Sequence, residues 1–272
     1  MVASERWETA VGWYEVQTAH AVDLAAVADI AHEQVAALES ACAPEAASEV
    51  ARLHAGDQAI SPLLAHAVAA ALRLVEFSEG RVAVATVDPS ARGRLSPAPN
   101  SAQLELDRPR PRLRLPEGLR LDLWAIARAW AADQLAEQCS AAIGSGCLVN
   151  LGGDIAVRGT APADGWQVHI DDGHPTPSGS DTIILRSPGG IARASAAAPQ
   201  WPAPPSGETA PRRYWRTVTA ASPRCERAKA ACLTALSMTD DAPRWLTQRE
   251  LSARLVHTGG IAVQTPGWPE AS

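Results

Sequence analysis

The stretch "LVNLGGD" ends in a carboxylate, Asp154, placed directly after Gly152 and Gly153. Adjacent glycines let a backbone turn come close to a ligand, and the aspartate adds a charge beside it. Upstream, "LDLWAIARAWAAD" sets Asp122 at the start of a helical pattern that carries Arg128. A helix N-terminus offers free N–H groups and the positive end of its dipole, which suits a phosphate or pyrophosphate. Taken alone, a Gly-Gly-Asp turn is an ordinary hairpin, and Arg128 can equally be a solvated helix charge. The third residue of interest is Lys229, in "CERAKAACLTAL". It is the only lysine in the chain. A lysine on an amphipathic helix ordinarily faces water; the alternative is that it stands where chemistry needs a cation.

The elements that must hold these residues can be read from periodicity. "LDLWAIARAWAADQLAEQCSAAIG" is a helix with Gly144 as its stop, and "CLVNLGGDIAVRG" is strand, tight turn, strand. Lys229 falls in a helix expected over Glu226–Met238. Further helices are expected over Val22–Cys42, over Pro62–Phe77 with Ser61 as N-cap, and over Pro243–Arg249. "RVAVATV", "GWQVHI", "TIILRS" and "YWRTVTAA" read as strands, and "ARLVHTGGIAVQT" as a closing hairpin. Residues 89–116 read as irregular or hairpin, with only "QLEL" and "RLRL" alternating. Residues 199–211 carry five prolines and cannot be regular structure. Residues 1–15 show no element and are left open to disorder. Short strands mixed with helices indicate one α+β domain over residues 1–272.

Composition narrows the function. With 272 residues the chain has ample core. A net charge of −6 argues against a nucleic-acid binder, which would show a basic stripe, but leaves room for a local basic pocket. The five cysteines form no C-x-x-C pair, so a disulfide framework or structural zinc is not expected. The polar N-terminus and the lack of a long apolar stretch give a cytoplasmic expectation with no membrane span.

Order and spacing together carry a resemblance. Leu121 to Gly159 resembles the FAD:protein FMN transferase family, the ApbE family. Its members show "I/L-D-L-G-x-x-A-K-G/A-x-x-x-D" and then "L-V-N-x-G-G-D-I-x-x-x-G". The looser flanks extend the match over most of Ser40 to Pro269. The resemblance implies a single α+β domain of mixed and antiparallel strands with packed helices and a ligand cleft. It implies transfer of the FMN half of FAD to a Thr or Ser of an acceptor protein, with Mg²⁺ and release of AMP.

Carried over by position, Asp122 and Arg128 would contact the flavin, with Arg128 in place of the family's lysine. Gly152, Gly153 and Asp154 would shape the cofactor site, and the Ala125 carbonyl would face the metal. The family's two side-chain metal ligands, an Asp and a Thr four residues apart, fall on Lys229 and Leu233. A charged lysine cannot ligate Mg²⁺, and leucine has no donor atom. A register shifted by one places Ala230 and Thr234 there, and the carboxylate is lost either way. Further departures are Ala83 at another family Asp, the Pro-rich "PQWPAPPSGETAPRR" in place of a His- and Asp-bearing loop, and Ala192-Arg193-Ala194 in place of an "A-T-S" loop. The readings are therefore an active transferase with altered ligands, a member that binds a flavin nucleotide or a protein partner without transfer, or a match of fold alone.

Overall fold

Apolar spacing and end signals set the helices in the computed structural model, which describes residues 1–87, 101–170, 181–196 and 214–268. They are α1 (Leu24–Cys42), α2 (Pro62–Phe77), α3 (Trp124–Ile143), α4 (Cys225–Leu236) and α5 (Ala242–Gln248). Ser61 caps α2 as expected, its hydroxyl accepting from the Leu64 N–H at 3.1 Å. Gly144 ends α3 at φ 64°, a left-handed conformation that a residue without Cβ adopts at little cost.

The strands run in chain order β1 (Ala3–Glu8), β2 (Trp13–Thr18), β3 (Gly56–Ala59), β4 (Ala85–Val87), β5 (Glu105–Asp107), β6 (Arg112–Leu115) and β7 (Leu119–Leu121). They continue with β8 (Cys147–Leu151), β9 (Asp154–Arg158), β10 (Trp166–Ile170), β11 (Asp181–Leu185), β12 (Gly189–Ser195), β13 (Trp215–Ser222), β14 (Ser252–His257) and β15 (Ala262–Gln264). Among the described residues the main sheet has the order β1-β2-β8-β9-β12-β13-β14-β15, antiparallel throughout. The α+β class read from the sequence is the class observed.

Several local expectations are corrected. Residues 1–15 are not disordered: β1 and β2 pair from Ala3↔Thr18 to Glu8↔Trp13, and β2 continues the sheet onto β8. Their side chains alternate inward and outward, with Tyr14 and Val16 fully buried. Ala192-Arg193-Ala194, where the resemblance set a loop, lies within β12. "RVAVATV" shortens to β4. "QLEL" and "RLRL" do form a small hairpin, β5 pairing with β6. The Pro-rich segment 199–211 and the loop substitution assigned to it lie outside the described residues.

The central strands are covered on both faces, which is why "CLVNL" reads as an almost continuous apolar run. Val149 and Leu151 join the main core with α1–α4. Leu148, Ile155, Val157 and Ile191 turn to the other face, where they meet Trp166 and Ile183 of the β10–β11 ribbon.

Small residues let α3 and α4 come close. Ala127, Ala129, Ala132 and Ala136 of α3 and Ala228, Ala231 and Ala235 of α4 are all fully buried. At Gly190 of β12, a Cβ would lie 2.3 Å from the Cys225 backbone nitrogen, so only glycine admits the start of α4 there.

One carboxylate fixes this packing. Asp133 of α3 is fully buried and accepts from the first N–H groups of α4, Cys225 N and Glu226 N, each at 3.0 Å. Arg158 of β9 donates to it at 2.8 Å. Burial pushes the Asp133 carboxyl up, against the opposing pull of these N–H groups and of Arg224 and Arg158. Asp133→Ala would leave two helix-end donors and a half-buried arginine without their partner. It should lower the unfolding free energy by about 3–5 kcal/mol, the usual cost of breaking a buried pair. Urea unfolding at neutral pH measures this, and an unchanged midpoint would show that α4 is held by packing alone.

Candidate functional site

The N-terminal end of α3, the β8–β9 turn, β12 and the face of α4 that carries Lys229 surround one cleft of about 330 Å³. This volume is at the lower end of the range of about 300–1,000 Å³ usual for small-molecule sites. Of the residues singled out in the sequence, Asp122, Ala125, Arg128, Gly152, Lys229 and Leu233 all line it. Gly153 and Asp154 do not; they stand behind the wall.

The turn is built from its sequence. Gly152 and Gly153 have φ of 63° and 92°, and the Gly153 N–H donates to Asn150 Oδ1 at 2.8 Å. A Cβ on Gly152 would lie 2.7 Å from Arg128 Nη1. The first glycine is thus required twice, for the left-handed turn and for the close approach of the guanidinium.

Asp154 follows immediately and is fully buried. Lys229 Nζ lies 2.6 Å from its Oδ1, and Arg128 Nη2 lies 3.6 Å from its Oδ2. These are charge contacts, since neither oxygen has a hydrogen-bond partner in good geometry. The lysine also donates to the Arg193 carbonyl at 2.6 Å. Lys229 is 4% exposed, so the expectation of a solvent-facing helix lysine is overturned. The reason lies in the fold: α4 packs flat on β12 and β13, and the lysine's face points into the protein, where only a buried carboxylate makes a charge tolerable. Arg128 is likewise held rather than solvated. Its side chain is 13% exposed, and its guanidinium carbon lies 5.6 Å from the centre of the Trp124 ring.

The cleft is cationic. Arg81, Arg128, Arg193 and Lys229 line it, against one carboxylate among the described residues, that of Asp122. Sequence reading missed Arg81 and the part played by Arg193, and it did not single out Asn150 or Asp133. The last two lie within the stretches "LVNLGGD" and "LDLWAIARAWAAD", where an Asn just before a Gly-Gly turn and an Asp late in a helix are the legible signals. Arg193 carried no signal, because it faces the cleft only through the register of β12.

The donor set does not fit a magnesium ion at the expected position. Leu233 offers no ligand atom, and the Lys229 ammonium occupies the place next to Asp154, where it would repel a divalent cation. Among the described residues no group of three or more His, Cys, Asp or Glu side chains could hold a metal. The five cysteines are free and buried, and among the described residues no helix is long and apolar enough to cross a membrane.

A model of the ApbE family matches residues 9–198. No curated protein matches the chain. Among solved structures, the flavinyl transferase ApbE of Pseudomonas stutzeri in its apo form superposes with a TM-score of 0.76 at 18% identity, over 98% of this chain and 96% of that one. The flavin transferase ApbE of Vibrio cholerae gives 0.74 at 16% identity, over 98% of each chain. The ApbE protein of Thermotoga maritima gives 0.75 at 16%, over 98% and 97%.

Asp122 supplies a pH test of the site. Burial holds its carboxyl above the ordinary value of 3.8. The folded state therefore binds the proton more tightly than the unfolded chain. Stability from this group is complete below the unfolded value and is lost as pH rises through the folded one. Asp122→Asn removes that loss, so the variant should gain on the parent as pH rises from about 4 to 7. Paired urea titrations across this range give the difference, and a difference that stays constant with pH would mean that Asp122 does not titrate in the folded protein.

Proposed function

The chain belongs to the ApbE family, and we propose that it is a member that binds a flavin nucleotide of the FAD type, holding the pyrophosphate with side-chain cations. The observation that carries this reading is that Arg128 and Lys229, both lining a cleft also lined by Arg81 and Arg193, converge on Asp154 behind its wall. Two cations share one buried carboxylate, so the wall keeps a net positive charge that a phosphate group neutralises. Among the described residues Asp122 is the carboxylate that lines the cleft, and its raised proton affinity suits it to hydrogen-bond a polar flavin edge. Leu74, Val82 and Ile126 give the cleft apolar surface beside these charges.

A second reading is the family's reaction, transfer of the FMN half of FAD to a Thr or Ser hydroxyl of an acceptor protein with release of AMP. The retained Asp122 helix and Gly152-Gly153-Asp154 turn favour it. Lys229 and Leu233, at the positions that the resemblance gives to the metal's side-chain ligands, count against it. AMP release from FAD in the presence of Mg²⁺ and a Thr-bearing acceptor decides between the two. Binding without AMP release supports the first reading, and steady release supports the second.

Arg128→Ala tests the binding itself. Loss of a charged hydrogen-bond donor should weaken FAD binding by about 1.5–3 kcal/mol. Titration followed by flavin fluorescence reads this directly. Equal affinity for parent and variant would remove Arg128 from the site.

A further inference from the structure

We propose that Lys229 is a built-in cation standing where a divalent metal would otherwise serve, so that this cleft binds a pyrophosphate-bearing nucleotide without metal. The inference rests on the flavin-nucleotide reading above and specifies how that site handles charge.

Four observations carry it. First, the only lysine of a chain whose other cationic side chains are arginine is 4% exposed and lies on the cleft wall. A buried ammonium is costly, and a surface role would not require it. Second, an ammonium has three N–H donors. One goes to the Arg193 carbonyl, and the contact with Asp154 Oδ1 directs the charge of another. This leaves donor capacity on a residue that lines the cleft. Third, Asp154 is shared between Lys229 and Arg128, so it neutralises one of two cations and fixes both in place. The result is a rigid receptor with residual positive charge, prepared before any anion arrives. Fourth, the same ammonium blocks the approach of a divalent ion to Asp154, and Leu233 supplies no ligand one turn further along α4. Arginine would not serve as well at this position: a compact ammonium fits between a carboxylate and a carbonyl, whereas a planar guanidinium needs more room.

The deciding experiment uses the parent protein and isothermal titration with FAD, once in EDTA and once in excess Mg²⁺. The expected result is the same affinity in both. Binding that requires Mg²⁺ overturns this inference and leaves the flavin-nucleotide reading standing. No FAD binding in either buffer overturns that reading and the inference with it. Inorganic pyrophosphate, titrated in the same two buffers, should compete with FAD in EDTA; failure to compete places the cations away from the phosphates and also overturns the inference. Lys229→Met should weaken FAD binding by about ten-fold or more, the effect of losing a charged donor. Because this variant leaves Asp154 buried and short of a partner, the double variant Lys229→Met with Asp154→Asn is measured alongside it. FAD affinity equal to that of the parent in the folded double variant would show that the ammonium does not bind the nucleotide.

Discussion

A buried carboxylate must be compensated, and the cleft of this protein is organised around that requirement. Asp154 sits at the start of β9, fully buried, with Lys229 arriving from α4 and Arg128 from α3. It adds a charge contact to each cation, beyond the Arg193 carbonyl that also holds Lys229 and the Trp124 ring beside Arg128. Each belongs to a different helix, so the carboxylate also sets the distance between those helices at the cleft. The Gly152-Gly153 turn places Asp154 there and leaves the space through which the guanidinium reaches it. Asp133 performs the matching task one layer deeper, tying the N-terminus of α4 to α3 and β9. Two buried aspartates therefore orient one helix, the first through its end and the second through its single lysine.

This arrangement depends on the alanine-rich composition. An α4 built with larger residues at Ala228, Ala231 and Ala235 could not lie close enough to β12 for Lys229 to reach both Asp154 and the Arg193 carbonyl. Cys225 and Cys232 fit the same pattern. Their thiols donate to the Ile191 and Ala192 carbonyls of β12 at 3.3 and 3.2 Å, and burial pushes both up in pKa. They behave as small packing groups with one donor each, protonated and unreactive.

Much of the fold was legible because its signals are local. The Ser61-Pro62 start, the Gly144 stop and the Gly152-Gly153 turn each state their geometry in adjacent residues. What escaped was long-range. β1 and β2 pair with each other, and β2 alone, by pairing with β8, ties that hairpin to the main sheet. The resemblance set a loop at Ala192-Arg193-Ala194, whereas pairing with β13 makes this stretch a strand. The site divides in the same way. The residues Asp122, Arg128 and Asp154 could be named from spacing, but whether Lys229 meets water or a carboxylate is decided by the packing of α4, which no window of sequence contains. General expectation favoured water, and the fold brought a buried partner.

The choice of cation has consequences for what the cleft can do. A divalent ion is exchangeable, carries more charge and organises oxygen ligands in a defined octahedron, which lets it orient both sides of a phosphate being cleaved. An ammonium is fixed in the chain, carries a single charge and donates hydrogen bonds without such geometry. A site that keeps the fixed charge gains permanence: its affinity does not depend on free metal, and its wall is rigid before the ligand enters. It gives up the strong polarisation that phosphoryl transfer draws on. If the cleft takes a nucleotide, the turn and helix start would shape it, while Lys229 and Leu233 stand where the resemblance sets the metal's side-chain ligands. On the proposed reading the residues kept would bind and the residues changed would otherwise lower a barrier, which is the physical basis for proposing that this member of the family holds a nucleotide.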